Sequence, residues 1–310
     1  MQRLYILFFV LLLLISCQGN SSVESSNPSD KQNMATYFRV PPSFNGRIVF
    51  QSGVDGAYQI YVLDKSGVKK ITNGNYDNEY PMWSPEGSII IFQANPNGKS
   101  DYDIYSVKSD GTDLKSVLAM PECEGEPDFC SQDGKSIVYT RQEKEVYFYN
   151  LDTKTNVPME PEFKAKSIVP VCSLVSGDIV FTRKRLMGWD VALFTRKTQE
   201  IRFLTEGSKS CRARWSHKGD RLAFVSSRAD GKGDVWLMNA DGSNQSRLTM
   251  DDDTYDYYPS WSPDDQYIAY ASTTHKTKGN WSLWIIEIKT QKKWKIYDSP
   301  NQEKFPDWTK

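Results

Sequence analysis

The stretch Tyr257-Tyr-Pro-Ser-Trp-Ser-Pro-Asp-Asp265 runs straight into the apolar segment Gln266-Tyr-Ile-Ala-Tyr270, and the chain keeps repeating this phrase. Strong copies occupy residues 79–92 and 212–224, weaker ones begin at Pro127 and Pro170, and a truncated one is Phe305-Pro-Asp-Trp-Thr309. Aligned on the Ser, the Trp position is held by Trp83, Cys130, Cys172, Trp215, Trp261 and Trp308, with spacings of 47, 42, 43, 46 and 47 residues. A period in this range predicts a repeat architecture.

Each repeat has the same order of predicted strands and turns. The Trp or Cys strand is followed by a Ser-Pro-x-Gly type turn, an apolar second strand, a polar loop and a third strand. An Asp-Gly hairpin such as residues 110–111 or 241–242 leads to a fourth strand. Third strands are predicted near residues 59–63, 103–107, 145–149, 190–194, 234–238 and 282–287. Four short strands per repeat predict an all-β, six-bladed propeller.

The two ends of the repeat region complement each other. The first blade begins at Ile48 with its second strand and has no Trp phrase upstream. The C-terminal Phe305-Pro-Asp-Trp phrase supplies a first strand that has no blade of its own. We therefore expect the ring to close by pairing of its N- and C-terminal strands, which leaves no open ring edge.

Composition excludes some functional classes. The chain has 310 residues and a net charge of -1, so it carries no overall basic charge that would attract nucleic acid. It has only two histidines, His217 and His275, a poor supply for metal sites or acid–base chemistry. We expect no nucleic-acid partner and a monomeric protein.

The N-terminus reads as an export signal. Arg3 precedes the apolar run Leu4 to Ile15 and then Ser16-Cys17, which is too short for a comfortable membrane span. Leu14-Ile-Ser-Cys17 resembles a bacterial lipobox, in which the Cys becomes lipidated; an ordinary signal peptide that ends near a Cys is the alternative. We predict a signal at 1–16, a flexible Ser/Asn-rich tether at 17–43 and the propeller at 44–310. The expected location is the cell envelope, anchored in the outer membrane and facing the periplasm.

The repeats resemble the TolB-type six-bladed propeller, a WD40-like repeat family. The best copies run from Trp215 to Thr249 and from Trp261 to Tyr270. The resemblance covers about residues 44–310 and leaves out the α/β domain that precedes the propeller in TolB. It implies a non-catalytic protein that binds another envelope protein, such as a lipoprotein, or a peptide at the mouth of the central channel. It also implies no cofactor.

Candidate binding residues come just before each inner strand. We expect them on exposed loops at one mouth of the channel, where charged and aromatic side chains often form binding sites. They are Glu79, Tyr80, Glu124, Glu126, Arg212, Tyr257, Tyr258, Lys304 and Phe305, and the predicted binding set is Glu79, Tyr80, Arg212, Tyr257, Tyr258 and Lys304. The alternative is that the aromatic side chains only cover the strand ends.

Metal and catalytic sites receive little support. Acidic residues recur at the start of the third strand, at Asp103, Glu145, Asp190 and Asp234. They could ring a hard cation, but we predict that each accepts hydrogen bonds inside its own blade. The cluster at residues 251–253 and 256 is predicted to be a solvated loop. No catalytic motif is present, so we predict no catalytic or metal residue. The alternative is a glycan-binding or metal-dependent polysaccharide-active propeller that uses His217 with carboxylates.

Four further cysteines follow Cys17: Cys123, Cys130, Cys172 and Cys211. Four cysteines allow three connectivities, and the sequence does not choose among them. Because Cys130 and Cys172 align at equivalent positions of adjacent blades, we expect them to lie too far apart for a bridge. A Cys fills less volume than a Trp, so these two blades are predicted to pack more loosely unless neighbours such as Phe129 fill the space.

Overall fold

The computed structural model describes residues 37–53, 56–96, 101–122, 124–207, 209–276 and 279–310, which form β-strands and no helix. The first strands in chain order are β1 (Tyr37–Phe38), β2 (Arg47–Ser52), β3 (Gln59–Asp64), β4 (Gly67–Lys70), β5 (Asn78–Trp83), β6 (Ile89–Ala94), β7 (Asp103–Lys108), β8 (Lys115–Leu118), β9 (Glu124–Phe129), β10 (Ser136–Arg141), β11 (Glu145–Asn150) and β12 (Asn156–Pro158). The others are β13 (Ser167–Cys172), β14 (Ile179–Lys184), β15 (Trp189–Thr195), β16 (Glu200–Phe203), β17 (Ser210–Trp215), β18 (Arg221–Ser226), β19 (Asp234–Asn239), β20 (Ser246–Arg247), β21 (Tyr255–Trp261), β22 (Tyr267–Thr273), β23 (Ser282–Glu287), β24 (Lys293–Asp298) and β25 (Lys304–Thr309).

The strands form six antiparallel sheets, which are the six predicted blades. Blade 1 has the order β25-β2-β3-β4, and blades 2 to 5 each use four consecutive strands from β5 to β20. Blade 6 has the order β21-β22-β23-β24 with β1 as a fifth, outermost strand. The prediction of an all-β six-bladed propeller is confirmed.

The ring closes between the two ends of the repeat region. Strand β25 pairs with β2 in the register Arg47↔Thr309 and Ile48↔Trp308. The Trp308 indole Nε1 also donates to the Asn45 carbonyl at 2.7 Å. The predicted closure is therefore confirmed, and blade 1 takes its first strand from the C-terminal end of the repeat region.

Strand direction gives the propeller two ends, which we name by their loops. Every first strand begins at the mouth face, formed by the loops between second and third strands and by the connections between blades. Every first strand ends at the turn face, which carries the Ser-Pro type turns and the outer hairpins.

The repeated Trp packs between blades. In three blades the indole Nε1 donates to a carbonyl in the first strand of the preceding blade. The pairs are Trp83 with Asp307 at 3.1 Å, Trp215 with Val171 at 3.2 Å and Trp261 with Arg214 at 3.0 Å. A buried indole thus keeps its hydrogen bond while its ring covers apolar surface.

The weak copy in blade 3 is shifted by one residue from the predicted alignment. Phe129 pairs with Ile137 as Trp83 pairs with Ile90, so Phe129 holds the Trp position. Cys130 is an extra residue that follows the strand. The alignment on Ser131 placed it wrongly because the insertion lies between the strand and that Ser.

Cys130 and Cys172 form a disulfide, and the expectation that they lie too far apart is wrong. Their Cα atoms are 5.1 Å apart. Cys172 stands at the Trp position and faces the preceding blade, where the inserted Cys130 meets it. Blades 3 and 4 are joined covalently where looser packing was predicted. Cys211 is a buried thiol, and Cys17 and Cys123 lie outside the described residues.

Residues at the start of third strands are bonded within their own blades. The Thr205 hydroxyl donates to Asp190 at 2.9 Å and accepts from the Val191 N–H at 2.9 Å. Asp234 pairs with Arg247 at 2.9 Å. The predicted own-blade role is confirmed for these two acids. Across the described ranges, no group of three or more His, Cys, Asp or Glu residues could hold a metal ion.

The first described strand, β1, lies before residue 44, the predicted start of the propeller. Tyr37 and Phe38 pair with Asp298 and Tyr297 of β24. Residues 37–39, assigned to the tether, thus pair with the outer strand of blade 6, and residues 1–36 of the predicted signal and tether lie outside the described residues. Within the part of the chain that the structure describes, no helical segment has the length and hydropathy of a bilayer span.

The first prediction concerns the disulfide. The double variant Cys130→Ala/Cys172→Ala should lose about 2–4 kcal/mol of unfolding free energy, because the bridge closes a loop with a sequence separation of 42 residues. Urea denaturation of both proteins measures the loss. Peptide mapping without reduction should recover the two cysteines in one linked pair. Recovery of both as alkylated thiols from the unreduced protein would contradict the assignment.

The second prediction concerns Glu303, which is fully buried beside β2. Its Oε1 accepts from Ser52 Oγ at 3.0 Å and from Ser299 Oγ, yet burial raises the pKa of the carboxyl to about 8. The folded state therefore holds a proton that the unfolded chain releases between about pH 4.5 and pH 8, and this group makes folding less favourable as the pH rises through that window.

Glu303→Gln should remove that pH dependence. The variant should match the wild type near pH 5 and gain on it by up to about 1.4 kcal/mol per pH unit toward pH 8. Denaturation midpoints at pH 5.5, 7 and 8.5 measure the difference. Two stability curves that stay parallel across this range would show that Glu303 does not carry the proton.

Candidate functional site

Every first strand has a left-handed residue three positions before its Trp position. The six are Tyr80 (φ 53°), Glu126 (φ 52°), Val169 (φ 53°), Arg212 (φ 55°), Tyr258 (φ 59°) and Phe305 (φ 54°). Each sits at a register shift against the second strand, which is a β-bulge. Pro follows in five of the six blades and suits a position where the ladder needs no N–H donor. The Pro repeated before the Trp position therefore marks the site of a β-bulge.

Side chains from the preceding blade bind the backbone N–H of these bulges. The Tyr80 N–H donates to Gln51 at 3.0 Å, Glu126 N–H to Gln93 at 2.9 Å and Arg212 N–H to Thr182 at 2.9 Å. A left-handed non-glycine residue persists only where its surroundings hold it. The neighbouring blades therefore fix the direction in which each bulge side chain points.

Four of these side chains form what we call the axial cluster, which is Tyr80, Arg212, Tyr258 and Phe305. The Phe305 ring lies 3.9 Å from the rings of both Tyr80 and Tyr258. The Arg212 guanidinium lies 5.9, 4.8 and 5.3 Å from the ring centres of Tyr80, Tyr258 and Phe305. Since the four come from blades 2, 5, 6 and 1, their meeting point is the propeller axis.

The axial cluster corrects the expectation of exposed loop residues. All four lie inside first strands, and Arg212 and Tyr258 are only 5% and 8% exposed. The rings in contact close the channel at this level. Glu126 faces the same space, where its Oε2 accepts from Thr140 Oγ1 and Val169 N–H, each at 2.7 Å. Burial raises the pKa of Glu126, and the nearby Arg212 opposes that shift.

Glu79 and Lys304 lie one residue earlier in their strands, toward the mouth face. Glu79 is buried and accepts from the Gln51 and Gln93 amides, each at 3.3 Å; burial raises its pKa to about 6. Burial lowers the pKa of Lys304 to about 8, while the attraction of Glu79 works against that shift. Lys304 Nζ lies 5.8 Å from the Tyr58 ring and 5.5 Å from the Trp281 ring.

Tyr257 belongs to the wall of the mouth. It is buried, with its ring edge-on to Trp281 at 5.8 Å, and Lys276 Nζ lies 5.3 Å from its ring centre. The predicted binding set therefore separates into three axial residues, a Glu79–Lys304 pair and this wall residue.

Sequence reasoning missed the loop residues Tyr58, Trp281 and Lys276. They come from the connections between second and third strands, which share the mouth face with the strand starts. A signal was present, since these connections differ in sequence from blade to blade and those of blades 1 and 6 carry Tyr58 and Trp281.

A second charged layer, Asp128, Arg214 and Asp307, lies deeper along the first strands. Asp128 accepts from Cys172 N–H at 2.9 Å and Asp307 from Trp83 N–H at 2.9 Å. Burial raises the pKa of Asp128 to about 7, and Arg214 acts on both acids in the opposite direction. The Arg212/Arg214 spacing of two signals this layer, because residues two apart in a strand share a face.

The two histidines stand at opposite ends of the molecule. His217 is in a turn-face connection, where its N–H donates to Asp265 at 2.8 Å. Its side chain is partly exposed. His275 is exposed in a mouth-face connection of blade 6. They share no site.

Comparison with known proteins gives relatives at low identity, and no protein-family model matches the chain. The Tol-Pal system protein TolB of Francisella tularensis subsp. mediasiatica is 26% identical over 239 residues, which is 71% of this chain and 53% of that protein. Dipeptidyl-peptidase 5 of Porphyromonas endodontalis is 25% identical over 238 residues, which is 67% of this chain and 31% of the peptidase.

A solved structure agrees with the sequence relatives. TolB from Acinetobacter baumannii superposes with a TM-score of 0.73 at 21% identity, covering 87% of this chain and 68% of that one. The chain spans about half the length of the TolB sequence that it matches. The repeated Trp phrase, the closed six-sheet ring and these likenesses agree that the chain is a TolB-type six-bladed β-propeller.

Proposed function

We propose that this propeller is a non-catalytic binding module of the bacterial envelope, whose mouth face receives a peptide segment of another envelope protein. One observation carries the proposal. Three cations stand over aromatic rings around one opening: Lys304 over Tyr58 and Trp281, Lys276 over Tyr257, and Arg212 over the axial rings. Cation–aromatic surfaces of this kind dominate many protein interfaces.

The charges at the mouth favour a ligand with acidic side chains. Glu79 and Glu126 already accept hydrogen bonds from protein groups inside the channel. Lys304 and Lys276 are half-buried and keep access to solvent. The acidic side chains of a peptide would form ion pairs with these two amines.

The closed axis decides how the ligand lies. Because Tyr80, Tyr258 and Phe305 are in ring contact, the ligand would rest across the mouth and not thread through the ring. Rigid strands present these side chains, so binding would need little ordering of the protein.

The cellular setting is part of the same proposal. We propose that Cys17 is lipidated, that the propeller works as a monomer on the periplasmic side of the outer membrane, and that the partner could be another lipoprotein. The lipobox-like Leu14-Ile-Ser-Cys17 and the TolB relatives support this setting. A tethered propeller would meet an envelope partner at high effective concentration.

The third prediction tests the mouth. A photo-crosslinking amino acid placed at Lys276 or Lys304 should capture one envelope protein in intact cells, whereas the same group at Lys218 on the turn face should not. The matched variants Lys276→Gln/Lys304→Gln and Lys218→Gln separate charge from position. The double variant should weaken binding of the identified partner by about tenfold, and the Lys218 variant should leave it unchanged.

Capture of the same protein at position 218, or equal binding by both variants, would place the site elsewhere. Binding of an oligosaccharide at the mouth with no protein captured would favour the glycan-binding alternative. The separation of His217 from His275 gives no support to a shared metal centre.

A further inference from the structure

Two loops of the mouth face expose large apolar side chains. The hairpin between β14 and β15 carries Leu186 and Met187, which are 97% and 79% exposed. The connection from blade 3 to blade 4 carries Phe163, which is 57% exposed. We call these three side chains the apolar tips. Single exposed apolar residues are ordinary, but three on neighbouring protruding loops mark an interaction surface.

The two loops are held against each other. Lys184 N–H donates to the Lys166 carbonyl at 2.8 Å, and Arg183 makes two hydrogen bonds to Glu160, at 2.5 and 3.2 Å. The hairpin itself closes with Arg185 N–H to the Gly188 carbonyl at 2.8 Å. The apolar tips therefore lie on two loops that hydrogen bonds hold together.

Lysines lie near the tips, and one of them, Lys166, is also paired with Glu143 at 3.9 Å. Lys144 Nζ lies 5.9 Å from the Phe163 ring, and Lys166 and Lys184 place their amines 6.0 and 5.1 Å from the ring of Trp189. Trp189 is buried beneath the hairpin. Lys164 is exposed beside Phe163. This arrangement matches a bilayer interface: the apolar tips would enter the acyl-chain region, and the amines behind them would lie at the level of the lipid phosphates.

The chain enters the propeller from the same end. Strand β1 opens with Tyr37 opposite Asp298, where β24 reaches the mouth face. The part of the sequence that precedes Tyr37, with Cys17, is therefore joined to the mouth face.

We propose that the rim of the mouth face at blades 3 and 4 docks on an anionic phospholipid bilayer through Phe163, Leu186 and Met187, with the nearby lysines on the lipid phosphates and the cations of blades 1 and 6 left open. Near-complete exposure means that Leu186 projects from the surface without lining a groove. A bilayer accepts such a side chain without a matching socket, whereas a protein partner would have to supply one. The docking does not depend on the proposed peptide site.

The test uses the full chain bound to vesicles and a photoreactive leucine analogue. In vesicles of phosphatidylcholine with about 30 mol% phosphatidylglycerol, the analogue at Leu186 should crosslink to lipid at least about fivefold more than the analogue at Leu174. Leu174 is the matched control, since it is an exposed leucine on the turn face. Omission of the anionic lipid, or high salt, should reduce the Leu186 yield.

Paired serine variants give a second readout. Leu186→Ser/Met187→Ser should reduce the extra vesicle binding that phosphatidylglycerol produces by about tenfold, while Leu174→Ser/Val175→Ser should keep it. Any contribution of the N-terminal segment is common to both. All four side chains are exposed, so both variants should melt with the wild type. Equal lipid crosslinking at positions 186 and 174, or crosslinks from 186 to protein only, would overturn the proposal.

Discussion

Hydrogen bonds from the side chains of one blade to the bulge of the next set the geometry of the propeller. Gln51, Gln93 and Thr182 each bind the backbone N–H of a left-handed residue in the next first strand. These bonds cross between sheets, so a bulge is satisfied only when its neighbour is in place. The same contact that holds two blades together thus turns Tyr80 or Arg212 toward the axis. Assembly of the ring and formation of the mouth are one event.

The sequence predicted the fold well because each Trp phrase contains both the Trp that packs between blades and the residues that form the following turn. Blade number, strand order and ring closure all followed from the spacing of Trp83, Trp215, Trp261 and Trp308. The weak copies were harder to align. The inserted residue Cys130 leaves the motif recognisable but shifts the Trp position from Cys130 to Phe129. A one-residue shift was enough to hide both the role of Phe129 and the disulfide.

The candidate site was predictable in position but not in exposure. The residues ahead of each Trp do lie at one end of the channel, but the bulges turn their side chains inward. In the sequence, the Pro after the left-handed residue is the one sign of a bulge. The layer of Asp128, Arg214 and Asp307 shows why charges remain inside. The carboxylates of Asp128 and Asp307 accept hydrogen bonds from first-strand N–H groups of the next blade. An apolar side chain at either position would leave that N–H without a hydrogen-bond partner.

The source of the inner strand of blade 1 has a consequence for how the protein folds. Strand β25 follows every other strand in the chain, yet it pairs with β2 near the beginning. A chain that emerges N-terminus first must therefore carry an incomplete first blade until all the others have been made. Long-range pairing of this kind slows folding and leaves a strand edge unsatisfied in the meantime. The pairing of β25 with β2 therefore closes the ring, and it can form only after β25 has been synthesised.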